Sequence, residues 1–163
     1  MAKKTKTIET ANTDYRPGAI GALLDLYENA LSDLKTTIAG LNKEQFEKSR
    51  VTGPGESYSV KNIMGHVLKS GYGYSNRIRK VFGIKTTRVK LVIATAAEAV
   101  AELDKMFGYA VDSCKDNMEM DIGEMWGTKI KTGWTTYDLE SLLEHALVHI
   151  MRHRRQIGKM LKH

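Results

Sequence analysis

Three histidines at intervals of four residues are the most distinctive chemical feature of this sequence: His145, His149 and His153. Residues four apart on an α-helix lie on one face with Cβ atoms roughly 5–6 Å apart, so two of these imidazoles can converge on one metal ion. A third ligand must then come from elsewhere in the chain. The only other internal histidine is His66, since His163 is the last residue. The spacing therefore predicts a histidine metal site.

The residue types favour a catalytic metal site over a structural one. Structural zinc is usually closed by four protein ligands, whereas three histidines leave positions open for water or substrate. Imidazole also binds nickel, copper and iron, so the sequence does not select the metal; zinc is the first choice and nickel the second. Ala146 occupies the position of the general-base glutamate in zinc-metalloprotease helices, which excludes that motif. A ferritin-like di-iron site is disfavoured because no glutamate lies three residues before any of the helix-borne histidines.

Apolar residues recur at helical spacing through nearly the whole chain, which predicts an all-α four-helix bundle. We expect the intervening segments 48–57 and 119–135 to be loops, because both are rich in glycine. The four predicted helices run approximately from Pro17 to Gly40, from Ser59 to Gly83, from Thr95 to beyond Cys114, and from Thr135 or Thr136 to the C-terminus.

The last helix has an apolar seam that passes through Ala146 and Ile150 to His153. This seam predicts that His153 points inward and that His149 and His145 lie on the adjoining flank. A buried imidazole must be hydrogen-bonded or coordinated to offset its desolvation. One inward histidine alone is more often a satisfied core residue than a ligand, but a second histidine four residues away favours a metal site.

Three other side chains that can take part in chemistry have competing interpretations. Trp126 and Trp134 lie in the predicted loop 119–135, where they can either cover one end of the core or line a substrate pocket. We weight these two roles equally. Cys114 falls on the seam of the third helix, so we expect a core residue, because a buried thiol without a basic neighbour keeps a high pKa.

Length and composition indicate one globular domain over residues 1–163, with residues 1–14 as a flexible N-terminal tail. A single cysteine allows no intramolecular disulfide, and the chain does not open with an apolar leader, so a reducing cytoplasm is the expected location. No stretch approaches the roughly 20 apolar residues that cross a bilayer.

The net charge of +6 raises the question of nucleic-acid binding. We disfavour it, because no recognisable binding module and no stacking aromatic residues accompany the charge. A solvated helix face and a basic N-terminus explain the charge more simply. The basic residues gather at the two ends of the chain: Lys3, Lys4, Lys6, Arg152, Arg154, Arg155, Lys159 and Lys162.

Two segments, 57–67 and 148–157, resemble the DinB/YfiT-like metalloenzymes, four-helix bundles that hold a divalent metal with three histidines. The first resembles the start of that family's second helix: an aromatic residue, a serine cap and then the first ligand. The second is similar to its fourth-helix signature, in which two ligands four apart are followed by an arginine and a glutamine. The resemblance implies that His66, His149 and His153 are the ligands, which leaves His145 as a neighbour of unassigned role.

The activity that this resemblance implies is a thiol-dependent S-transferase or a hydrolase acting on a small molecule. Its cofactors would be a divalent metal and a low-molecular-weight thiol, and the protein would be a homodimer. His145, Arg152, Gln156, Trp126 and Trp134 are the candidates for supporting the ligands or contacting the substrate. Two alternatives stay open: a stress-associated metal-binding protein without turnover, and a bundle whose histidines are merely structural.

Overall fold

Four long helices dominate the computed structural model, which describes residues 14–53 and 56–162. This confirms the predicted all-α four-helix bundle. Most of the predicted flexible tail, residues 1–13, lies outside the described residues. The long helices are α1 (Gly18–Ile38), α3 (Val60–Val81), α4 (Ala96–Cys114) and α6 (Leu139–Met160), and two short helices, α2 (Lys43–Glu47) and α5 (Ile122–Gly127), lie between them.

The long helices pack in the cyclic order α1, α6, α3, α4, so that α1 and α3 face each other across one diagonal. Helices α4 and α6 face each other across the other diagonal. The α1–α3 and α4–α6 connections must therefore cross the bundle, which explains why each carries a short helix and a hairpin, whereas α3 and α4 are neighbours. Helix α6 packs against both α1 and α3, and this places one of its faces against α3.

Side-chain caps fix where several helices begin. The side chains of Asn42 and Ser59 each accept a hydrogen bond from the backbone N–H three residues later. In return, the side chain of that later residue accepts a hydrogen bond from the backbone N–H of the cap. This capping box satisfies two donors that would otherwise be unpaired. Thr95 caps α4 by accepting from the Glu98 backbone N–H, but the Glu98 carboxylate accepts from the Ala94 N–H rather than from that of Thr95, so Thr95 and Glu98, which stand at capping-box spacing, form only half of the box. Gly40, just beyond α1, has a φ of +77°, a backbone conformation that glycine adopts without strain.

Three boundary predictions were wrong. The predicted loop 48–57 contains an antiparallel hairpin of β1 (Arg50–Gly53) and β2 (Glu56–Tyr58). The predicted loop 119–135 contains α5 and the strand β3 (Ile130–Lys131), which pairs with β4 (Thr136–Tyr137). Helix α6 starts at Leu139 rather than at Thr135 or Thr136, because Asp138 caps it and Thr136 is engaged in the hairpin.

The core is continuous along the bundle axis and is formed by apolar residues of all four long helices. Cys114 is fully buried in it, and burial raises the pKa of its thiol to about 12, which confirms a core role. The apolar spacing of α3 also extends to Val81 and would place it inward, but Val81 is 38% exposed at the end of the helix. No helix in the described part of the chain is both long and apolar enough to cross a membrane.

Candidate metal centre

Helices α3 and α6 bring three of the histidines together between them. His66 lies in the second turn of α3, a position fixed by the Ser59 cap, while His149 and His153 are one turn apart on α6. One potential ligand atom from each of the three lies within 4.8 Å of the others. The structure thus places the three ligands that the resemblance implied in one cluster.

The rings of this histidine cluster pack edge to face. The centroid of the His66 ring lies 4.9 Å from that of His149 and 5.1 Å from that of His153, and the two α6 rings are 4.5 Å apart. The Nε2 atoms of His66 and His149 are 3.0 Å apart. Neutral imidazoles at this distance can share one proton or can direct their lone pairs at a common cation.

His153 is held by a partner on its far side. Its Nδ1 lies 2.8 Å from Oε1 of Gln156, and an amide oxygen can only accept, so Nδ1–H is the donor. The lone pair of His153 is therefore on Nε2. That Nε2 is buried and has no hydrogen-bond partner among the described residues, although an unpaired buried polar atom is destabilising by about 1–3 kcal/mol. A bound metal ion would satisfy it.

Burial keeps the cluster neutral. His149 is only 4% exposed, and desolvation, followed by the neighbouring His153 and His66, lowers the pKa of its imidazole to about 3. His66 is exposed and His153 is half-buried, and partial desolvation lowers the pKa values of both, with the charge of Arg152 adding to each effect. A metal-binding histidine must be neutral, so these electrostatics suit a ligand set.

One orientation prediction was wrong. His149, which was expected on the flank of α6, is the most buried of the three clustered histidines, and His153, which was expected to point inward, is only half-buried. The reason is that α6 packs against α3 as well as α1, so the flank that carries His149 is covered by α3.

His145 continues the row of histidines by one turn and joins an aromatic group. The Trp134 indole Nε1–H donates to the Tyr137 hydroxyl oxygen at 3.1 Å, and that hydroxyl lies 3.3 Å from Nδ1 of His145. The Tyr74 ring stands edge-on to both His145 and His149, at centroid distances of 5.5 and 5.9 Å. His145 thus connects the cluster to the β3–β4 hairpin.

The histidine cluster opens onto two cavities that both include His66. The first, which we call the Tyr58 cavity, has a volume of about 330 Å³ and is lined by Glu56, Tyr58, Asn62, Ile63, His66, His153 and Gln156. The second, the Tyr74 cavity, has a volume of about 530 Å³ and is lined by His66, Lys69, Ser70, Gly73, Tyr74, Arg77, Trp134, His145, His149 and Arg152.

Three of the other candidate residues line one of the two cavities, and one lines neither. Arg152 and Trp134 line the Tyr74 cavity, and Gln156 lines the Tyr58 cavity. Trp126 lies on α5, where its indole N–H donates to Glu140, and it lines neither cavity.

Sequence reasoning did not single out Lys69, Tyr74 or Arg77. These residues follow His66 at intervals of three to five residues, which places all of them near one face of α3. This spacing is the sequence feature that could have indicated their position beside the histidine cluster.

The family model described as the DinB family matches residues 11–163, which is nearly the whole chain. No curated protein and no solved structure matches.

Proposed function

The chain belongs to the DinB family, and on that premise we propose that it is a divalent-metal-dependent enzyme that transfers a low-molecular-weight thiol to a small electrophilic substrate. The observation that carries the proposal is the opening of one neutral three-histidine cluster onto two cavities. A transferase must bring two molecules to one centre, and His66 borders both spaces.

His66, His149 and His153 would hold the ion, for which zinc is our first choice and nickel our second. When bound, such an ion supplies Lewis acidity, which favours the thiolate form of a thiol at neutral pH. Gln156 orients the His153 ring through its Nδ1–H, as supporting groups do in metal sites.

The sulfur nucleophile must come from the cosubstrate. Cys114 is the chain's one cysteine, and it is fully buried with a pKa raised to about 12. A thiol in that state supplies almost no thiolate at neutral pH. A small thiol that enters one of the cavities has no such restriction.

The reaction that fits is a substitution at an electrophilic carbon. The thiol loses its proton, the sulfur forms a bond to carbon, and the leaving group departs with the electron pair of the broken bond. His145 is placed to accept the proton, because it lines the Tyr74 cavity and burial keeps it neutral by lowering its pKa. Lys69 and Arg152 offer positive charge for a carboxylate of either reactant.

The test measures metal content and thiol conjugation together. Purified protein loaded with zinc or nickel is assayed with several small thiols and an aryl halide, and halide release is measured with and without thiol. We expect about one ion per chain and thiol-dependent turnover that His149→Ala abolishes. Turnover that needs no thiol would instead indicate a hydrolase, and bound metal without any turnover would indicate a non-catalytic metal-binding protein. Light scattering tests the homodimer, which remains part of the proposal.

A further inference from the structure

A third cavity, of about 620 Å³, adjoins the Tyr74 cavity and is strongly basic. Four cations line it: Arg77 and Lys80 from α3, and Lys129 and Lys131 from the segment that forms β3. We call it the lysine cavity. It shares Gly73 and Arg77 with the Tyr74 cavity, so the two cavities are neighbours along α3, and we call them together the path to the histidine cluster.

The charge along this path has one sign. Its lining contains six cations and no carboxylate: Lys69, Arg77, Lys80, Lys129, Lys131 and Arg152. None of the six forms an ion pair within residues 14–53 and 56–162, whereas Lys35, Lys61, Lys105 and Lys115 are each paired elsewhere on the surface. A concave surface of one sign concentrates ligands of the opposite charge.

Helix α3 sets the distance between the two ends of the path. Lys69, Gly73, Arg77 and Lys80 follow His66 at intervals of three or four residues, so they lie on one face. With a rise of 1.5 Å per residue, Arg77 is about 16 Å along the axis from His66 and Lys80 about 21 Å. The Arg77 side chain turns back toward the histidines, because its Nη1–H donates to the Gly73 carbonyl at 3.2 Å.

Gly73 keeps the middle of the path open. A Cβ added there would stand 3.4 Å from Nη1 of Arg77, so a longer side chain would fill the space beside the guanidinium. Glycine within a helix is destabilising by about 1 kcal/mol relative to alanine, so helix stability does not explain this residue. Its hydrogen side chain leaves the space beside the Arg77 guanidinium open to a ligand.

We propose that the lysine cavity binds the phosphate group of an elongated phosphorylated small molecule whose other end reacts at the histidine cluster. The assignment of this molecule as the substrate rests on the proposed function. Phosphate fits because three of the four cations are lysines, whose compact charges suit a multiply charged oxyanion, and the arginine adds a bidentate donor.

The test measures pyrophosphate binding to chelator-treated protein, so it does not depend on the metal. In a Trp126→Phe background Trp134 is the one remaining tryptophan, and because it borders the Tyr74 cavity its fluorescence reports on the path. We expect Lys129→Gln/Lys131→Gln to weaken pyrophosphate binding roughly 10-fold or more. The matched control, Lys159→Gln/Lys162→Gln, removes the same charge at and just beyond the C-terminal end of α6 and should change pyrophosphate binding less than about 2-fold.

Four outcomes would overturn the proposal. Absence of pyrophosphate binding, or equal weakening in the control, would show that the lysines act only as general surface charge. Citrate binding as tight as pyrophosphate would make the cavity a polycarboxylate site. A single-stranded oligonucleotide that binds more tightly with the same lysine dependence would make it a nucleic-acid surface. Lysine-dependent pyrophosphate binding in a protein that never takes up metal would overturn the proposed function alone and leave the phosphate site standing.

Discussion

The Nε2 atoms of His66 and His149 lie 3.0 Å apart although 83 positions separate the two residues in the chain. Two neutral imidazoles can approach in this way only if a proton or a cation lies between their lone pairs. The nearby His153 has a third Nε2 atom, which is buried and has no hydrogen-bond partner among the described residues. One cation satisfies all three atoms, whereas one shared proton satisfies only two of them.

Replacing a single clustered histidine should therefore release the metal. We expect His66→Ala, His149→Ala and His153→Ala each to reduce bound zinc from about one ion per chain to a small fraction of that, because two protein ligands hold the ion weakly. Elemental analysis after gel filtration measures the content. His145→Ala is the matched control and should keep its metal, since His145 lies outside the cluster. Metal loss only in His145→Ala would contradict the assignment.

Gln156 should tune metal affinity without being a ligand. Gln156→Leu removes the acceptor that orients His153, and the loss of such a partner typically weakens metal binding by about 10–100-fold. Gln156→Glu keeps an acceptor oxygen and should retain near-native affinity. Competition with a chromogenic chelator measures both dissociation constants. Equal affinities for the leucine variant and the native protein would show that the hydrogen bond does not position the ring.

Much of the fold could be predicted from sequence because the signals are local. Helical periodicity and capping residues such as Asn42, Ser59 and Thr95 act within a few residues, and each of these three side chains accepts a backbone hydrogen bond at the start of its helix. The hairpin β1–β2 could not be predicted in this way. It depends on the pairing of β1 with β2, and segment 48–57 also has the composition of an ordinary loop.

The candidate site was only partly predictable for a related reason. The apolar seam shows which direction along α6 faces the bundle centre, but it does not show which flank a neighbouring helix covers. Helix α3 covers the flank with His149, so that residue is more buried than the seam residue His153. The lysine cavity was missed because α3 and the β3 segment, which form it, are about fifty residues apart in the chain.

Arg79 should contribute to the stability of the bundle and not to metal binding. Its buried guanidinium donates to Ser113 Oγ at 2.8 Å and to the Lys85 carbonyl at 3.0 Å, and it pairs with Asp112. We expect Arg79→Met to lower the free energy of unfolding by about 1–3 kcal/mol, because these partners lose their donor. Urea unfolding measures the change.

The control for Arg79 is an exposed pair on the same helix as Ser113. Lys105→Met breaks the exposed Lys105–Glu102 bridge and should lower the free energy of unfolding by less than about 1 kcal/mol. Bound zinc should stay at the native level in both variants, since neither residue touches the histidine cluster. Equal destabilisation by the two substitutions would show that burial does not strengthen the Arg79 contacts.

Acid should destabilise the chelator-treated protein, and His149 should be the main cause. The pKa of its imidazole is about 3 in the folded state and near 6.5 in the unfolded chain. Between these two pH values the imidazole is protonated in the unfolded chain and neutral in the folded protein. The free energy of unfolding must then fall as the pH falls from about 6.5 toward 3, and it is unaffected by this group above pH 7. Between pH 6.5 and 5 we expect a loss on the order of 1–2 kcal/mol, with smaller contributions of the same sign from His66 and His153.

Urea unfolding at several pH values measures how steeply the free energy of unfolding depends on pH. His149→Asn, which cannot titrate, should flatten it, and an unchanged slope in that variant would assign the acid sensitivity to other groups.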